Sequence, residues 1–555
     1  MSYTGFLDEV LPGIREKLNP MQLGSLLRLN ATSFPQGFPT TQWVEAQVRL
    51  AWAWWWWNGR GLEEETGKDS DGDPIYRYPL KINTIRSYAR IHNNMLWGET
   101  KDDPNPIIRS RVKPLAFWED KASEEDRKEA AYYERLLEQM WVQSNDRAIM
   151  RESGLNSQYL GGTYFQIKYQ PWRNDIVVPL TVVPLKADFV LPVWADDPWD
   201  LLEVWISYRM TPIAAERELG HKQSQGKKTF VTYVEHWTRE SYSIWIDDKP
   251  LTATYFTDDG SKVSISYNNQ VNPFGMVPVV YIPRERSGEF YGNSIVSDIL
   301  GMMKELNARL ADVGDAISEN THRVWVGRNI TRGINFKQLE NGQRYIDIGS
   351  DNPASKNPPE LTPQDPPKFS PEMTHFNNEV RSEMEREGQI TPIAFGIDEG
   401  SQRSGETLDQ RMWPTVTAAR AQRDLWSTGI SRLNSIALLM LSRLPVALPG
   451  PKVAPDFRKR FRLWTQWNPF LPKNQEQETN RIVALKTNGS MSTRRAVESQ
   501  SDVEDIDTEL TYIREDQAAT TPKSTGVNQY GVPSDDSADP GTTERLARTE
   551  QQPER

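Results

Sequence analysis

Residues Asn293–His322 read NSIVSDILGMMKELNARLADVGDAISENTH, and this stretch organises the rest of the chain. Ile295, Ile299, Met302, Leu306, Leu310, Val313 and Ile317 step by threes and fours, the period of one apolar helix face. The spacing predicts a single helix of roughly 30 residues, ~45 Å long. Asp298, Glu305, Asp312 and Glu319 recur at intervals of seven and form an acidic stripe beside the apolar one. Lys304 and Arg309 are its cations.

Upstream, residues 1 to about 120 read as helical. Gln42–Trp57 and Asn83–Trp97 are predicted helices, the second with Ile85, Tyr88, Ile91 and Met95 on one face. Two more follow, Glu124–Val142 and Arg147–Leu160, the latter stopped by Gly161-Gly162. The period then shortens to two at 163–170, 175–183, 189–195 and 201–210. After a short helix over Pro212–Leu219 it returns at 229–237, 242–248 and 262–267. Residues 163–282 are therefore expected to be mostly antiparallel sheet.

Downstream, 323–370 reads as a small strand-and-loop module containing VWVGRNI and RYIDIG, with a proline-rich end. Ser370-Pro371-Glu372 starts a helix by cap, proline and acid. It carries Met373, Phe376, Val380 and Met384 and stops at Gly388. The loop GQITPIAFGIDEGSQRSG (388–405) has an apolar middle. Ser404 then caps a helix to about Leu444, with Pro414 as a kink. Residues 475–487 and 492–500 form a helical hairpin around Asn488-Gly489-Ser490. From 519 the chain is polar and rich in Pro, Gly and Ser, the composition of a disordered tail.

The chain has 555 residues, 37% of them hydrophobic, enough for several domains or one elongated subunit. A net charge of −11 excludes a generally basic nucleic-acid binder. The absence of cysteine excludes disulfides, thiolate metal sites and cysteine nucleophiles. Charges stand near the N-terminus where a signal peptide would be apolar. The run LAWAWWWW (50–57) is too short to span a bilayer and lacks the polar face of a membrane anchor. It reads as a helix buried on all sides, in a core or between subunits.

Other signals fail on spacing. Residues 220–229 imitate a phosphate loop with one residue too many and no leading apolar strand. Asp69–Asp73 imitates a calcium loop, with Pro74 where glycine belongs and Leu80 where the last carboxylate belongs. His92, His221, His236, His322 and His375 stand apart, so no zinc site and no other metal or cofactor is expected. No Gly-x-Ser-x-Gly elbow occurs, and no enzymatic activity is expected.

Five stretches in order resemble the portal proteins of tailed bacteriophages. They are LGGTYFQIKY (160–169), 183–210, 271–326, QITPIAFGIDEGSQRSGETLDQRM (389–412) and 474–499. In 271–326 a turn like Asn272-Pro273-Phe274-Gly275 precedes a strand like Val277–Ile282 and then the first stem helix. The resemblance implies an α+β portal fold. The wing would be 1–292, a helical block followed by a β block. The stem would be 293–322 and 370–388, the clip 323–369 and the tunnel loop 389–404. A long kinked wing helix over 405–446, a crown over 447–518 and the tail 519–555 complete it.

It also implies a ring of twelve subunits at one capsid vertex of the virion, at the head–tail junction, assembled in the host cytoplasm. Double-stranded DNA would pass through the bore during packaging and ejection. Terminase would dock first and adaptor or tail proteins later, with major capsid and scaffolding proteins around the ring and no membrane contact.

On this reading Asp298, Glu305, Asp312 and Glu319 line the channel, or they are simply a solvated face. A channel wall should not hold phosphates tightly, since each cation placed against the backbone adds a trap. Ile393, Phe395, Gly396, Ile397, Glu399 and Arg403 belong to the tunnel loop. Its apolar residues touch neighbours or DNA, or pack on the wing. Arg323, Arg328, Arg332, Lys337 and Arg344 form a basic docking rim on the clip, or intersubunit ion pairs. A tryptophan-rich carbohydrate-active hydrolase and another capsid or scaffold protein are the rival readings.

Overall fold

The computed structural model describes residues 35–59, 81–98, 108–115, 123–170, 175–196, 199–219, 229–256, 262–286, 290–321, 325–328, 334–338, 344–348, 360–363, 371–397, 405–444, 448, 450–468, 470, 475–493, 496–497 and 509–515. The expected tail from 519, the stretch 220–228 and Asp69–Asp73 lie outside the described residues. The chain divides into two compact units, Met1–Leu471 and Pro472–Arg555.

The first unit is mixed α and β. Its helices are α1 (Thr40–Trp57), α2 (Thr84–Trp97), α3 (Glu124–Gln143), α4 (Asp146–Leu160), α5 (Pro212–Leu219), α6 (Ile295–Thr321), α7 (Pro371–Glu387), α8 (Gly405–Arg443) and α9 (Phe457–Arg460). Two of the ends have a clear local cause. Ser123 and Asp126 form a reciprocal capping box at α3. Gly161, at φ 83°, ends α4 in the left-handed region. Proline sits inside α8 at Pro414, and the helix runs through it.

The β block is antiparallel. Strands β4 (Val190–Trp194), β5 (Leu201–Met210), β6 (Val231–Thr238), β7 (Ser241–Ile246) and β11 (Gln270–Val271) make one sheet in the order β11-β7-β6-β5-β4, with β8 (Lys249–Pro250) added on β7. A second sheet has the order β12-β2-β3, from Val279–Pro283, Gly162–Tyr169 and Leu180–Leu185. Strands β9 (Thr252–Phe256) and β10 (Lys262–Ser266) pair separately.

Helix α8 carries Trp426, Ile430, Leu433, Ala437 and Leu441 into the main core, where they meet α3, β2, β12 and others. Gly429 lets it cross β12 closely: a Cβ there would lie 2.5 Å from Ile282. Arg423 of α8 caps the end of α2, donating to the Leu96 carbonyl at 2.7 Å and stacking on Phe470 at 3.6 Å. Burial pushes its pKa down to about 10.

One expectation is corrected and two are made more specific. Residues 109–114 are not helical but form β1 (Arg109–Pro114), antiparallel to β17 (Phe461–Gln466). The partner that makes this segment a strand lies some 350 residues away in sequence. Among the described residues the segment 323–369 adds further strands to the two stretches read from the sequence: β13 (Trp325–Arg328) pairs with β16 (Glu360–Pro363), and β14 (Ile334–Gln338) with β15 (Arg344–Ile348). β16 lies in the proline-rich segment, which a two-stranded edge tolerates. Within the subunit the tryptophan helix is covered on one side: Trp56 is buried, and Trp54 is 42% exposed.

The second unit contains α10 (Gln475–Thr487), closed by Gly489 at φ 68°, and a helical segment at 509–515.

One buried carboxyl group ties the two main sheets. Glu235 of β6 accepts from Gln166 at 2.7 Å, from Tyr233 at 2.9 Å and from the Trp237 indole. Glu235→Ala orphans three buried donors and is expected to cost about 3 kcal/mol. A urea titration read by tryptophan fluorescence should show the midpoint fall, and an unchanged midpoint contradicts the role.

Candidate functional site

The long helix α6 and the shorter α7 lie side by side, joined through the apolar cluster of Ile295, Ile299, Met303, Leu306 and Met384. The buried side of α6 therefore follows 295, 299, 303 and 306. Met302 and Leu310 lie at its edge, and Ile317 is exposed. Asn307, buried, holds α6 to the segment before α2 by a two-way amide bond with Ile82, at 2.8 and 2.9 Å.

The acidic stripe separates into two parts. Asp298 sits at the base of α6 and accepts from the buried Arg284 at 2.8 Å. Arg284 also reaches Gln158 of α4 at 3.1 Å, and Gln158 bonds Gln422 of α8 at 2.9 Å. Glu305 and Asp312 bracket Arg309 at 2.8 and 3.1 Å, so a cation lies within the stripe. The Lys304 ammonium stands over the Trp56 ring at 4.5 Å. The side chain of Glu319 lies outside the described residues.

The loop after α7 is built by two successive turns. Ile390 N–H bonds the Glu385 carbonyl at 3.0 Å and Gln389 N–H bonds the Arg386 carbonyl at 3.1 Å, which closes α7 in a Schellman motif. The left-handed residue is Gln389, at φ 53°. Gly388 is needed for a different reason: a Cβ there would lie 2.3 Å from the Tyr88 ring. A short 3₁₀ turn, Pro392–Phe395, ends the same way, with Gly396 at φ 79°.

Thr391 N–H donates to the Thr415 hydroxyl at 3.1 Å, one residue after Pro414. Ile393 packs with Met95, Met412, Val416 and Ala419, and the Phe395 ring lies 5.3 Å from that of Tyr88. Ile397 is 47% exposed. So two of the three apolar loop residues are used inside the subunit, and one faces outward. Glu399 and Arg403 lie outside the described residues.

Arg323 and Arg332 also lie outside them. Arg328, Lys337 and Arg344 are on β13, β14 and β15, and the register sets Arg328 opposite Glu360.

Sequence reasoning missed Tyr88, His92, Arg284 and Thr415 as the parts that fix this region. No local pattern marks them, because their partners are remote. His92 Nε2 donates to the Gly388 carbonyl at 2.7 Å. Burial, helped by the Arg284 charge, holds its pKa down at about 4. Among the described residues no group of acidic or histidine side chains could hold a metal ion, and no helix is long and apolar enough to cross a membrane.

A sequence model of the family described as "Phage portal protein, SPP1 Gp6-like" matches residues 222–523, just over half of the 555-residue chain. No curated protein matches the chain.

His92 makes stability pH-dependent. Its native pKa lies below the unfolded value of about 6.5. As pH falls below about 6.5 the unfolded chain takes up a proton that native His92 refuses, so stability drops, by about 2 kcal/mol at pH 5. The drop levels off below about pH 4, where the native ring protonates. His92→Gln keeps the donor to Gly388 and should flatten the Tm profile between pH 7 and 5. An equally steep profile in the variant would rule His92 out as its source.

Proposed function

Because the chain belongs to the phage portal protein family, we propose that its copies close into a ring at one capsid vertex and that double-stranded DNA threads the bore during packaging and ejection. The family is structural rather than enzymatic, which sets the hydrolase reading aside. It implies a homo-oligomeric ring, a virion location and packaging partners. Twelve copies, assembly in the host cytoplasm, terminase docking followed by adaptor or tail proteins, and capsid and scaffold contacts are the finer parts of the proposal.

In this reading α6 and α7 are the stem, the four-stranded module is the clip, and 389–404 is the tunnel loop. The wing comprises the blocks up to 292 together with α8. The crown is read as 447–518, of which β17 pairs with β1 in the first unit while the part from Pro472 belongs to the second.

The state of the cations on α6 carries the proposal. Lys304 rests on an indole, and Arg309 lies between two carboxylates. Neither is left as a bare phosphate trap, and the acids beside them repel the backbone. DNA can then slide past without having to break a phosphate contact driven by counterion release at each step. Asp298 contributes less to such a wall than Glu305 and Asp312, since Arg284 neutralises it.

Negative-stain microscopy of the purified full chain should show closed rings with a central hole; a stable monomer, or an assembly without an axial opening, overturns the reading. Ile397→Ser is the clean probe of the loop, because Ile393 and Phe395 also hold the fold. It should lower packaging or DNA retention at least several-fold while rings still form. Normal packaging and retention would remove the loop from the mechanism.

For the clip, Arg323, Arg328, Arg332, Lys337 and Arg344 reversed together to Glu should abolish pull-down of the terminase motor. Unchanged capture would assign these residues to contacts between subunits.

A further inference from the structure

A cavity of about 600 Å³ lies against the second half of α8, away from the α6–α7 pair. Its charged wall comprises Arg239 from the β6–β7 turn, Arg432 and Arg443 from α8, Arg458 from α9, and one carboxylate, Asp200. Asp200 is shared: Oδ2 accepts from Arg239 and Oδ1 from Arg432. Arg443 donates to the Phe274 carbonyl, and Arg458 to the Ser435 hydroxyl at 2.8 Å. Neutral acceptors leave charge uncompensated, so four guanidiniums less one carboxylate give three positive charges in excess.

The backbone makes room for this cluster. Gly275 adopts φ 60°, and a Cβ there would lie 2.6 Å from Arg443 Nη1. The cluster is also under electrostatic pressure. The Arg458 pKa is lowered by partial burial, and further by the charges of Arg432 and Arg443. Like charges gathered in a half-desolvated hollow repel, and an anion between them relieves that repulsion.

We propose that this cavity binds phosphate groups. Planar guanidinium forks converging from three elements suit a tetrahedral oxyanion, each oxygen of which takes a charge-assisted bond. The site's carboxylate, Asp200, is already committed to two of the arginines. The volume admits more than one phosphate group, which fits either a free nucleotide or adjacent phosphates of a DNA strand. The site goes beyond the conduit reading and does not rest on it, since no residue of the stem or tunnel loop takes part.

The test is thermal unfolding of the full-length protein in sodium pyrophosphate against sodium chloride at matched ionic strength. Millimolar pyrophosphate should raise the wild-type Tm by several degrees. Arg443→Gln with Arg458→Gln should lose that gain and keep an anion-free Tm no lower than wild type. If that pair does not assemble, Arg443→Lys with Arg458→Lys takes its place. It keeps the charge without the forks, and its gain should shrink.

A short fluorescent duplex then separates the sources. Displacement of bound duplex by pyrophosphate in the wild type, absent in the variant, assigns the site to DNA phosphates. No duplex binding alongside a retained pyrophosphate gain assigns it to a free nucleotide. The proposal fails if pyrophosphate gives no gain, if the gain is equal in wild type and variants, or if only polyglutamate stabilises, which would mark an acidic protein partner.

Discussion

The buried guanidinium of Arg284 is the point on which the geometry of the first unit turns. Removing a charge from water costs several kcal/mol unless its donors are satisfied. Here they are, by Asp298 at 2.8 Å, by Gln158 at 3.1 Å and by the Asn293 carbonyl at 3.4 Å. Those partners belong to the base of α6, to α4 and to the connection leading into α6. Gln158 extends the network to Gln422 on α8. Beside it Gly161 and Gly292 meet backbone to backbone: a Cβ on either would fall 2.2 Å from the other's carbonyl oxygen. Side chains larger than hydrogen would push α6 off its seat, and loss of the carboxylate would strand the arginine. The longest lever in the subunit, outside α8, is thus anchored at one end by a few polar contacts that admit little slack.

What could be read from the sequence follows from how far apart the determining residues lie. The helices α2, α3, α4, α6 and α7 were legible to within two residues, because a 3.6 period and a capping or stopping residue are local signals. The main antiparallel strands were legible for the same reason. β1 was not, because RSRVKP becomes a strand only against Phe461–Gln466. β16 was hidden by its prolines. Gly388 was rightly singled out, but as a helix stop. The structure gives the left-handed turn to Gln389 and leaves Gly388 to make space for Tyr88.

The acidic stripe shows both cases on one helix. Glu305, Arg309 and Asp312 are related by four and three residues, so their mutual pairing is written in the spacing. The pairing of Asp298 with Arg284 crosses from strand end to helix and leaves no trace in the periodicity. A repeat of seven thus joined residues with different roles, one belonging to the scaffold and two to a surface. The same holds for the apolar loop. Composition marked Ile393, Phe395 and Ile397 as one group, while packing on α2 and α8 divides it, with two residues as anchor and one exposed.

That division bears on how a loop could meet a moving duplex at all. A contact that must slide needs a tip of fixed position, and a tip of fixed position needs an anchor that is not itself part of the contact. The pinned turn Pro392–Phe395 provides one: it is held by the Thr391–Thr415 bond and by apolar packing, neither of which is screened by salt. Ile397 follows two residues later, where its exposed apolar side chain offers no charge for a phosphate to hold. In the proposed conduit the restraint would therefore fall on the protein side of the contact and not on the DNA side, the asymmetry that a sliding duplex requires.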